Sequence, residues 1–474
     1  MEEYSYSDIQ QLNMYQRLSL YFGTTFLLSQ KLPIYLLDNA NFTISVFPEI
    51  FSLTDVSKLH PIQPGYSTPD GVHELNLLIR EVEYARLCKN APERADTFRQ
   101  LVDEAGVGCG NGCSNVINAV LNSILQLPTS IFPRNNLAPE IIVTLPNYVI
   151  HAAQLSNLNK PVVAKFAHAE RKDDFLPTLA DIREQVTENT VAIVTTYPTN
   201  PSQATYESER VEELKAIIEF CQENEIFFVA DNIFQDLLYP IGRRFEELFN
   251  WTNSLDYMIK VYGSSKDTPF FGGLRTGYWF GDPKIASEYK SYMSFTENGL
   301  PTYSLLFFAL NLYFKLLTLL DSPPSLEHMR FFTNGVFGFM NGVDSEMLLE
   351  NMQKQELYEK YKLRMMISNL LQERALKEVK EFVLQAEGFS DFVNHNLGNV
   401  FFMRVNPRYF SGSDHDLAKW LLFEENCGVL PGNVFGMPIK EGEAWFRITL
   451  THDTSKNILN ELSRIEEILR TRNK

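Results

Sequence analysis

The chain has 474 residues, of which 45% are hydrophobic and 21% charged, and these values are typical of a globular protein with two or three domains. Its formal net charge of −17 argues against nucleic acid and anionic membrane surfaces as partners, because both repel a negatively charged protein. Any anionic ligand must therefore be bound by donors that are placed locally in a site.

The cysteines and the start of the chain bear on where the protein works. Five scattered cysteines, an odd number, favour reduced thiols over a disulfide framework. Cys109 and Cys113 lie close in sequence, but no His–Cys partner set completes a zinc site near them, so no metal is predicted. The acidic N-terminus lacks both the basic and the apolar region of a signal peptide. We therefore expect a soluble, cytoplasmic protein.

Between about residues 95 and 300, short apolar runs alternate with helical periods. A glycine-rich turn, GCGNGCS (108–114), precedes a helix over Val116–Leu125. An amphipathic helix is predicted over Glu207–Asn224. Buried strands are predicted over residues 140–146, 191–198, 226–232 and 257–263. This alternation predicts an α/β fold in which helices cover a mainly parallel sheet.

One apolar segment follows this region. Leu305–Phe314 is the longest apolar run of the chain, and Asn311 and Lys315 interrupt it and its continuation. The run is too short to span a bilayer, so we predict a buried helix of a protein that does not enter a membrane.

The C-terminal part has a different pattern. Residues 321–344 are rich in Pro, Gly and Asn and keep no period, whereas Glu356–Ala386 predicts a long helix. Two strand-like segments and a final helix from about Ser455 complete a separate α+β domain, the strands being residues 399–405 and 444–450. We assign residues 1–80 to an N-terminal arm and part of the small domain, 81–320 to a large domain, and 321–474 to the small domain with an irregular insertion near 321–344.

Polar residues come directly after several of the predicted strands. Asn200, Asp231 and Lys266 follow three of them, and Tyr148 follows the strand over residues 140–146. The carboxyl ends of parallel strands meet at one edge of a sheet, where ligands bind. The helix after the glycine-rich turn adds an N-terminus that can bind an anion. Pyridoxal 5′-phosphate is the cofactor that needs this combination of groups.

At these residues the sequence resembles the fold-type I enzymes that use pyridoxal 5′-phosphate, in particular the class I/II aminotransferase family, which includes the 1-aminocyclopropane-1-carboxylate synthases. The resemblance runs in order over about residues 60–450. Its motifs are Asn200–Pro201, Asp231, Ser265–Lys266, Arg275, and Arg447 in WFRITL. It implies a large cofactor-binding domain with a mainly parallel sheet of the seven-stranded type between helices, plus a smaller α+β domain.

The resemblance implies a role for each of three residues around the cofactor ring. Lys266 would form a Schiff base with the cofactor aldehyde and later move the α-proton, which needs an amine that can lose its charge. Asp231 would pair with the pyridine nitrogen and keep it protonated. Asn200 would donate a hydrogen bond to the 3-oxygen of the ring.

The phosphate needs donors in a protein of negative net charge. The resemblance assigns it the helix start, a bidentate guanidinium and a hydroxyl. These donors are the backbone amides of Gly112, Cys113 and Ser114, the side chain of Arg275, and the hydroxyl of Ser264 or Ser265. Tyr66 resembles the family tyrosine that reaches a phosphate from the neighbouring subunit, and this implies a homodimer with shared active sites.

Two further side chains would face the ring and the substrate. Tyr148 would stack on the cofactor ring, and Arg447 would bind the α-carboxylate of an amino acid in a fork geometry that lysine cannot supply. His151 lies where relatives often carry an aromatic residue. We interpret it as a structural histidine, although it could also face the substrate.

The sequence departs from the family pattern at three places. Phe234 stands where an aromatic hydroxyl is usual, so one donor to the 3-oxygen is missing, although Tyr239 keeps a later tyrosine. Gly263 stands where a serine is usual. The spacing of nine residues from Lys266 to Arg275 is one longer than is common. These departures bear more on which reaction is expected than on which cofactor is expected.

Three functions are compatible with these residues. The first is transamination of an α-amino acid to its 2-oxo acid, since this is the commonest outcome in the family. The second is a lyase, cyclase or β/γ-replacement reaction of specialised amino-acid metabolism, which the changed 3-oxygen environment favours somewhat. The third is a non-catalytic relative kept for binding or regulation, and the presence of Lys266, Asp231 and Arg447 argues against it. The sequence does not name the amino acid.

Overall fold

The computed structural model describes residues 67–471 except 128–137, 208–209, 238–246, 269–270, 322–354, 394, 396–397 and 452–453, and also residues 12, 16–17, 19–21, 24, 28 and 35–36. The strands are β1 (Tyr35–Leu36), β2 (Gly106–Gly110), β3 (Glu140–Leu145), β4 (Val163–His168), β5 (Thr190–Thr196), β6 (Phe227–Asp231), β7 (Met258–Tyr262), β8 (Gly277–Gly281), β9 (Phe389–Phe392), β10 (Val400–Val405), β11 (Cys427–Gly428), β12 (Leu430–Pro431) and β13 (Trp445–Thr449). The helices are α1 (His73–Asn90), α2 (Ala95–Glu104), α3 (Cys113–Gln126), α4 (Val149–Leu155), α5 (Leu179–Gln185), α6 (Val211–Glu223), α7 (Phe271–Leu274), α8 (Ala286–Thr296), α9 (Thr302–Leu320), α10 (Gln355–Gln385), α11 (Asp414–Phe423) and α12 (Ser455–Thr471).

The larger sheet has seven strands in the order β2-β8-β7-β6-β5-β3-β4. All neighbouring pairs from β7 to β4 are parallel, and only β8 runs antiparallel to both of its neighbours. Every residue of β5, β6 and β7 is buried, as expected for strands with helices on both faces. The predicted α/β fold with a mainly parallel seven-stranded sheet is confirmed.

The glycine-rich stretch is only in part the turn that the sequence predicts, because Gly106–Gly110 form strand β2. Aromatic residues pack directly over this strand. A Cβ atom on Gly108 would lie 2.6 Å from the indole nitrogen of Trp279 and 2.7 Å from the ring of Tyr289. Only glycine leaves room for such a close approach, and this strand therefore has glycine at three of its five positions and a single β-branched residue, Val107.

The smaller domain contains a four-stranded antiparallel sheet in the order β12-β13-β10-β9. A second hydrophobic core lies between this sheet and helices α10, α11 and α12. The N-terminal part of the chain contributes to it, since Tyr21 is buried in this core and β1 pairs with β11. Helix α1 instead packs into the larger core through Leu75, Leu78 and Ile79.

Two helices connect the parts of the molecule. Helix α9 is longer than the predicted apolar run, and most of its length is buried in the larger core. Helix α10 spans both cores, because Tyr361 is buried in the larger core and Val379 in the smaller one. In the described part of the chain, no helix combines the length and the apolarity needed to cross a bilayer.

Candidate active site

The candidate site lies beyond the carboxyl ends of the central strands of the larger sheet. Asp231 is the last residue of β6, and Asn200 and Lys266 each follow the end of a neighbouring strand by four residues. Parallel strands bring such residues to the same edge, as the sequence predicts. The beginning of α3 also lies at this edge, because the backbone at Gly112 and Cys113 packs against Gly277, the first residue of β8.

Asp231 is 3% exposed and has two carboxylate oxygens with different surroundings. Its Oδ2 lies 3.2 Å from Nε2 of His151, whereas its Oδ1 is buried without a hydrogen-bond partner. A buried carboxylate oxygen without a partner is costly, so such an atom marks a place where a donor from a ligand can bind. The unsatisfied Oδ1 is therefore the acceptor that this site offers to an N–H group.

The fully buried His151 is held in a defined orientation. Its Nε2 also lies 3.2 Å from the hydroxyl of Thr196, which in turn donates to the amide oxygen of Asn147 at 2.6 Å. Because Thr196 uses its hydrogen for Asn147, its oxygen accepts, and the His151 tautomer with hydrogen on Nε2 fits both neighbours. Neither interpretation of His151 from the sequence, as a structural residue or as one that faces the substrate, includes its contact with Asp231, and no local pattern in the sequence signals that contact.

Lys266 is partly buried, and the pKa of its amine is lowered from 10.5 to about 8. Burial is the largest cause, and the positive charges of Arg447 and Arg275 add to it, whereas Asp231 and Cys113 act in the opposite direction. The amine is therefore able to lose its proton near physiological pH, which an ordinary surface lysine does not do.

The start of helix α3 forms a cradle together with Arg275. Gly112 precedes the helix with a φ of +86°, and no side chain caps this end of the helix. A Cβ atom on Gly112 would lie 2.8 Å from a terminal nitrogen of Arg275. The guanidinium group therefore lies against the backbone that leads into the helix, where the amides of Cys113 and Ser114 begin it. The helix dipole and the arginine both favour an anion here.

The absent serine at position 263 has a steric explanation. A Cβ atom on Gly263 would lie 2.9 Å from the sulfur of Cys113 and 2.6 Å from the carbonyl oxygen of Thr276. The buried thiol of Cys113 thus occupies the space that a side chain at 263 would need. Burial, and next Asp231, raise the pKa of this thiol well above its ordinary value, so Cys113 is a neutral filler of the site.

Arg447 and Asn200 link the two domains across the site. Arg447 in β13 is 6% exposed and donates to the amide oxygen of Asn200 at 3.0 Å. Its guanidinium also lies 5.2 Å from the centre of the Phe435 ring. Tyr148 is half-buried beside these groups, and burial and the charge of Asp231 raise its pKa, whereas Arg275 and Arg447 act to lower it. Lys266, Asp231, Arg275 and Arg447 thus all act on one small volume.

The remaining predicted site residues are placed differently. The hydroxyl of Ser264 is fully buried and accepts a hydrogen bond from the amide of Asn311 at 2.8 Å, so it faces helix α9. Ser265 is partly buried, which makes it the better placed of the two serines for a ligand. Phe234 is 2% exposed. Tyr66 and Tyr239 lie outside the described residues.

Comparison with known proteins shows which family this chain matches. Residues 103–465 match the family model described as aminotransferase class I and II. An asparagine–oxo-acid transaminase of Streptococcus mutans is 25% identical over 52% of this chain and 62% of its own length. A probable aspartate/prephenate aminotransferase of Aquifex aeolicus is 35% identical over 29% of this chain and 34% of its own length. The chain thus matches less than two thirds of the length of each of these relatives.

The fold is that of a solved aspartate aminotransferase from Thermotoga maritima. The two structures superpose with a TM-score of 0.66 over 97% of this chain and 98% of the other, at 16% sequence identity. At this identity the likeness establishes the shared architecture and nothing about the substrate.

Proposed function

Because this chain belongs to the aminotransferase class I and II family, we propose that it is a pyridoxal 5′-phosphate-dependent aminotransferase that converts an α-amino acid to its 2-oxo acid. The observation that carries the proposal is the buried Oδ1 of Asp231, which lacks a partner beside a lysine of lowered pKa. Together these two groups provide an acceptor for a protonated ring nitrogen and an amine that can react with an aldehyde.

The residues present fit this cofactor at both of its ends. Asp231 would hold the ring nitrogen, and the hydrogen bond from His151 would hold the carboxylate in place. The amides of Gly112, Cys113 and Ser114 at the start of α3, with Arg275 against them, would hold the phosphate. Ser265 is the hydroxyl that we assign to the same group, since the hydroxyl of Ser264 is bonded to Asn311. Tyr148 would cover one face of the ring.

When bound, pyridoxal 5′-phosphate supplies an electron-accepting ring that stabilises the negative charge left after a proton departs from the substrate Cα. Lys266 is the group that takes and returns this proton, because its pKa of about 8 leaves a useful fraction of neutral amine near pH 7. Arg447 binds the substrate carboxylate, and its bond to Asn200 fixes the direction of its fork.

The names of the relatives support transamination over the alternative lyase, cyclase or replacement chemistry, since both curated relatives are named as aminotransferases or transaminases. Those names also indicate donors for a first test, namely asparagine and aspartate. Nothing in the described site discriminates between them and other α-amino acids.

We also propose that the protein is a cytoplasmic homodimer in which Tyr66 of each subunit contacts the phosphate bound by the other. The resemblance around Tyr66 supports this proposal. Sedimentation of the active protein tests it, and a fully active monomer refutes it. In the dimer, Tyr66→Phe should weaken cofactor retention.

The function is tested with purified protein, pyridoxal 5′-phosphate, a panel of amino acids and 2-oxoglutarate as acceptor. We expect paired formation of a 2-oxo acid and glutamate, measured by mass spectrometry, and no turnover in the Lys266→Ala variant. Borohydride reduction and peptide mapping should place the cofactor on Lys266. Release of ammonia or of a carbon fragment, without glutamate, would establish the lyase alternative. A label on another lysine contradicts the site.

A further inference from the structure

Two polar residues, an asparagine and a lysine, lie buried in the apolar middle of helix α9. Asn311 is 0% exposed and Lys315 is 7% exposed, and they are the two residues that interrupt the apolar pattern of the sequence. Because they are four residues apart, they lie one above the other on the same face of the helix. A buried amide and a buried ammonium group need partners, and both residues find them in the loop that carries Lys266.

Asn311 contacts this loop on both sides of the lysine. Its amide nitrogen donates to the hydroxyl of Ser264 at 2.8 Å, and the hydroxyl of Thr268 lies 3.4 Å from the same nitrogen. A backbone bond of 3.2 Å, from the amide of Thr268 to the carbonyl of Ser264, closes the turn. Asn311 thus binds two positions that lie symmetrically before and after Lys266.

Lys315 contacts the residue that directly follows the lysine. Its ammonium group forms an ion pair with Asp267 and a second one with Asp236 at 2.5 Å, and the hydroxyl of Tyr262 binds the same group. Burial raises the pKa of Asp267 although Lys315 opposes it, whereas Arg86 and Lys315 hold the pKa of Asp236 well below its ordinary value. The two carboxyl groups therefore differ in their hold on a proton, with Asp267 the more basic.

The ion pairs of Lys315 end a longer row of alternating charges, which we call the charge row. Its interior bonds are short, with 2.6 Å from Lys260 to Glu83, 2.5 Å from Glu83 to Arg86 and 2.7 Å from Arg86 to Asp236. In order, the charge row consists of Glu247, Lys260, Glu83, Arg86, Asp236, Lys315 and Asp267. It ties the residue after Lys266 to β7, α1 and α9.

We propose that Asn311 and Lys315 are positioning residues, a clamp that holds the backbone on both sides of Lys266 so that its amine keeps its place at the carboxyl edge of the sheet. The loop over residues 264–268 contains neither a strand nor a regular helix, so its own backbone does not fix the lysine. A displacement of the reacting atom by 1 Å costs about 100-fold in rate. The clamp also reaches helix α10, because the hydroxyl of Tyr361 donates to the oxygen of Asn311 at 3.1 Å.

The proposal is tested first without the cofactor, so this test does not rest on the proposed function. The rate of reductive methylation of Lys266 by formaldehyde and a borane, followed by peptide mass spectrometry as a function of pH, reports the pKa and position of the amine. The groups whose charges act on this amine include Arg447, Arg275, Asp231 and Cys113. In the parent protein we expect the amine to titrate near 8, since burial lowers its pKa to about 8.

The test variant is Asn311→Leu, which has a similar volume and no donor, and Ser264→Ala removes the same bond without touching the helix. Lys315→Met is combined with Asp267→Asn, since removing Lys315 alone leaves the buried carboxylate of Asp267 without its cation, whereas Asp236 keeps its pair with Arg86. In folded protein, each variant should raise the midpoint of Lys266 methylation by about one pH unit, because the loosened amine moves away from two positive charges. An unchanged midpoint and rate in all of them overturns the clamp.

Lys362→Met is the matched control, because Lys362 forms an exposed pair with Asp321 at 2.7 Å next to Tyr361 in sequence. It should leave the methylation profile of Lys266 unchanged, and a shift equal to that of Asn311→Leu also overturns the clamp. The kinetic test does rest on the proposed function. There, Asn311→Leu should lower kcat about 10- to 100-fold with KM for the amino acid within about twofold. If the methylation profile shifts and no amino acid reacts, the proposed function fails while the clamp stands.

Discussion

Arg447 donates a hydrogen bond to the side-chain oxygen of Asn200 at 3.0 Å, and this bond crosses from the small-domain strand β13 to the loop after β5 of the larger sheet. The arginine is therefore oriented by one domain and carried by the other. Both residues belong to the motifs that the sequence alone indicates. If Arg447 binds the substrate carboxylate as proposed, this contact would fix the direction of its guanidinium group before the substrate binds.

Arg447→Lys should raise KM for the amino acid about 10- to 100-fold, because a single ammonium group cannot replace a bidentate charge-assisted pair. The dissociation constant of the cofactor should change by less than about threefold, since the start of α3 and Asp231 remain. Steady-state kinetics and absorbance titration with pyridoxal 5′-phosphate measure the two quantities. An equal loss in both would place Arg447 at the cofactor instead.

Cofactor-free Lys266→Met should be more stable than the parent protein at pH 7. The folded-state pKa of Lys266 is lowered from 10.5 to about 8, so between these values the unfolded chain binds the additional proton. The stability of the parent protein therefore rises relative to the variant as the pH increases from about 8 to 10.5, and the advantage of Lys266→Met disappears.

This difference is measured by urea unfolding of both proteins at pH 7 and pH 10.5. Lys362→Met serves as the control. Its partner Asp321 raises the pKa of Lys362, so the pH dependence of the stability difference from the parent protein should have the opposite sign. An advantage of Lys266→Met that persists unchanged at pH 10.5 contradicts the lowered pKa.

Gly263→Ala should destabilise the protein by about 1–3 kcal/mol, because the added methyl group meets Cys113 and Thr276 in a packed region. Gly273→Ala is the matched control, since a Cβ at that position has no atom within 4 Å. Combining Gly263→Ala with Cys113→Ala should recover part of the loss, while the contact with the carbonyl of Thr276 keeps the rest. Thermal unfolding of the parent, Gly263→Ala, Cys113→Ala and the double variant, beside the Gly273→Ala control, measures these effects, and full additivity of the two changes argues against the packing explanation.

His151→Leu should weaken cofactor binding about tenfold or more, because the buried carboxylate of Asp231 loses its hydrogen bond from Nε2 and is no longer held in place. A carboxylate that can move binds a ring nitrogen less well. Absorbance titration with pyridoxal 5′-phosphate measures the dissociation constant. A value equal to that of the parent protein contradicts a role for His151 in holding Asp231.

Much of the fold follows from patterns in the sequence, and the exceptions have identifiable causes. Strands β3, β5, β6 and β7 are buried on both sides and read as apolar runs, so they could be predicted. Strand β2 consists largely of glycine because Trp279 and Tyr289 occupy the volume above it, and only the neighbouring strand and helix explain that.

The features of the site also divide into those that the sequence predicts and those that only the structure shows. Residues that follow predicted strands are brought together by the parallel sheet, so Asn200, Asp231 and Lys266 could be expected at one edge. The contact of His151 with Asp231 depends on the orientation of a short helix, and no local pattern encodes it. Likewise, Asn311 and Lys315 interrupt the apolar pattern of a helix, and only the structure shows that they bind the loop that carries Lys266.

The charge row limits how this sequence can diverge. Each interior member touches neighbours of the opposite sign on both sides, so replacing one of them by an apolar residue deprives two like charges of one partner each. Where the replaced residue is Lys260 or Lys315, the buried end carboxylate of Glu247 or Asp267 loses its ion-pair partner in the row. Single substitutions in the charge row are therefore unfavourable. We expect changes to replace two residues of opposite charge together, such as Lys260 with Glu247. Descendants of this protein should therefore inherit the row whole or exchange it pair by pair, so that oppositely charged residues at these positions change together.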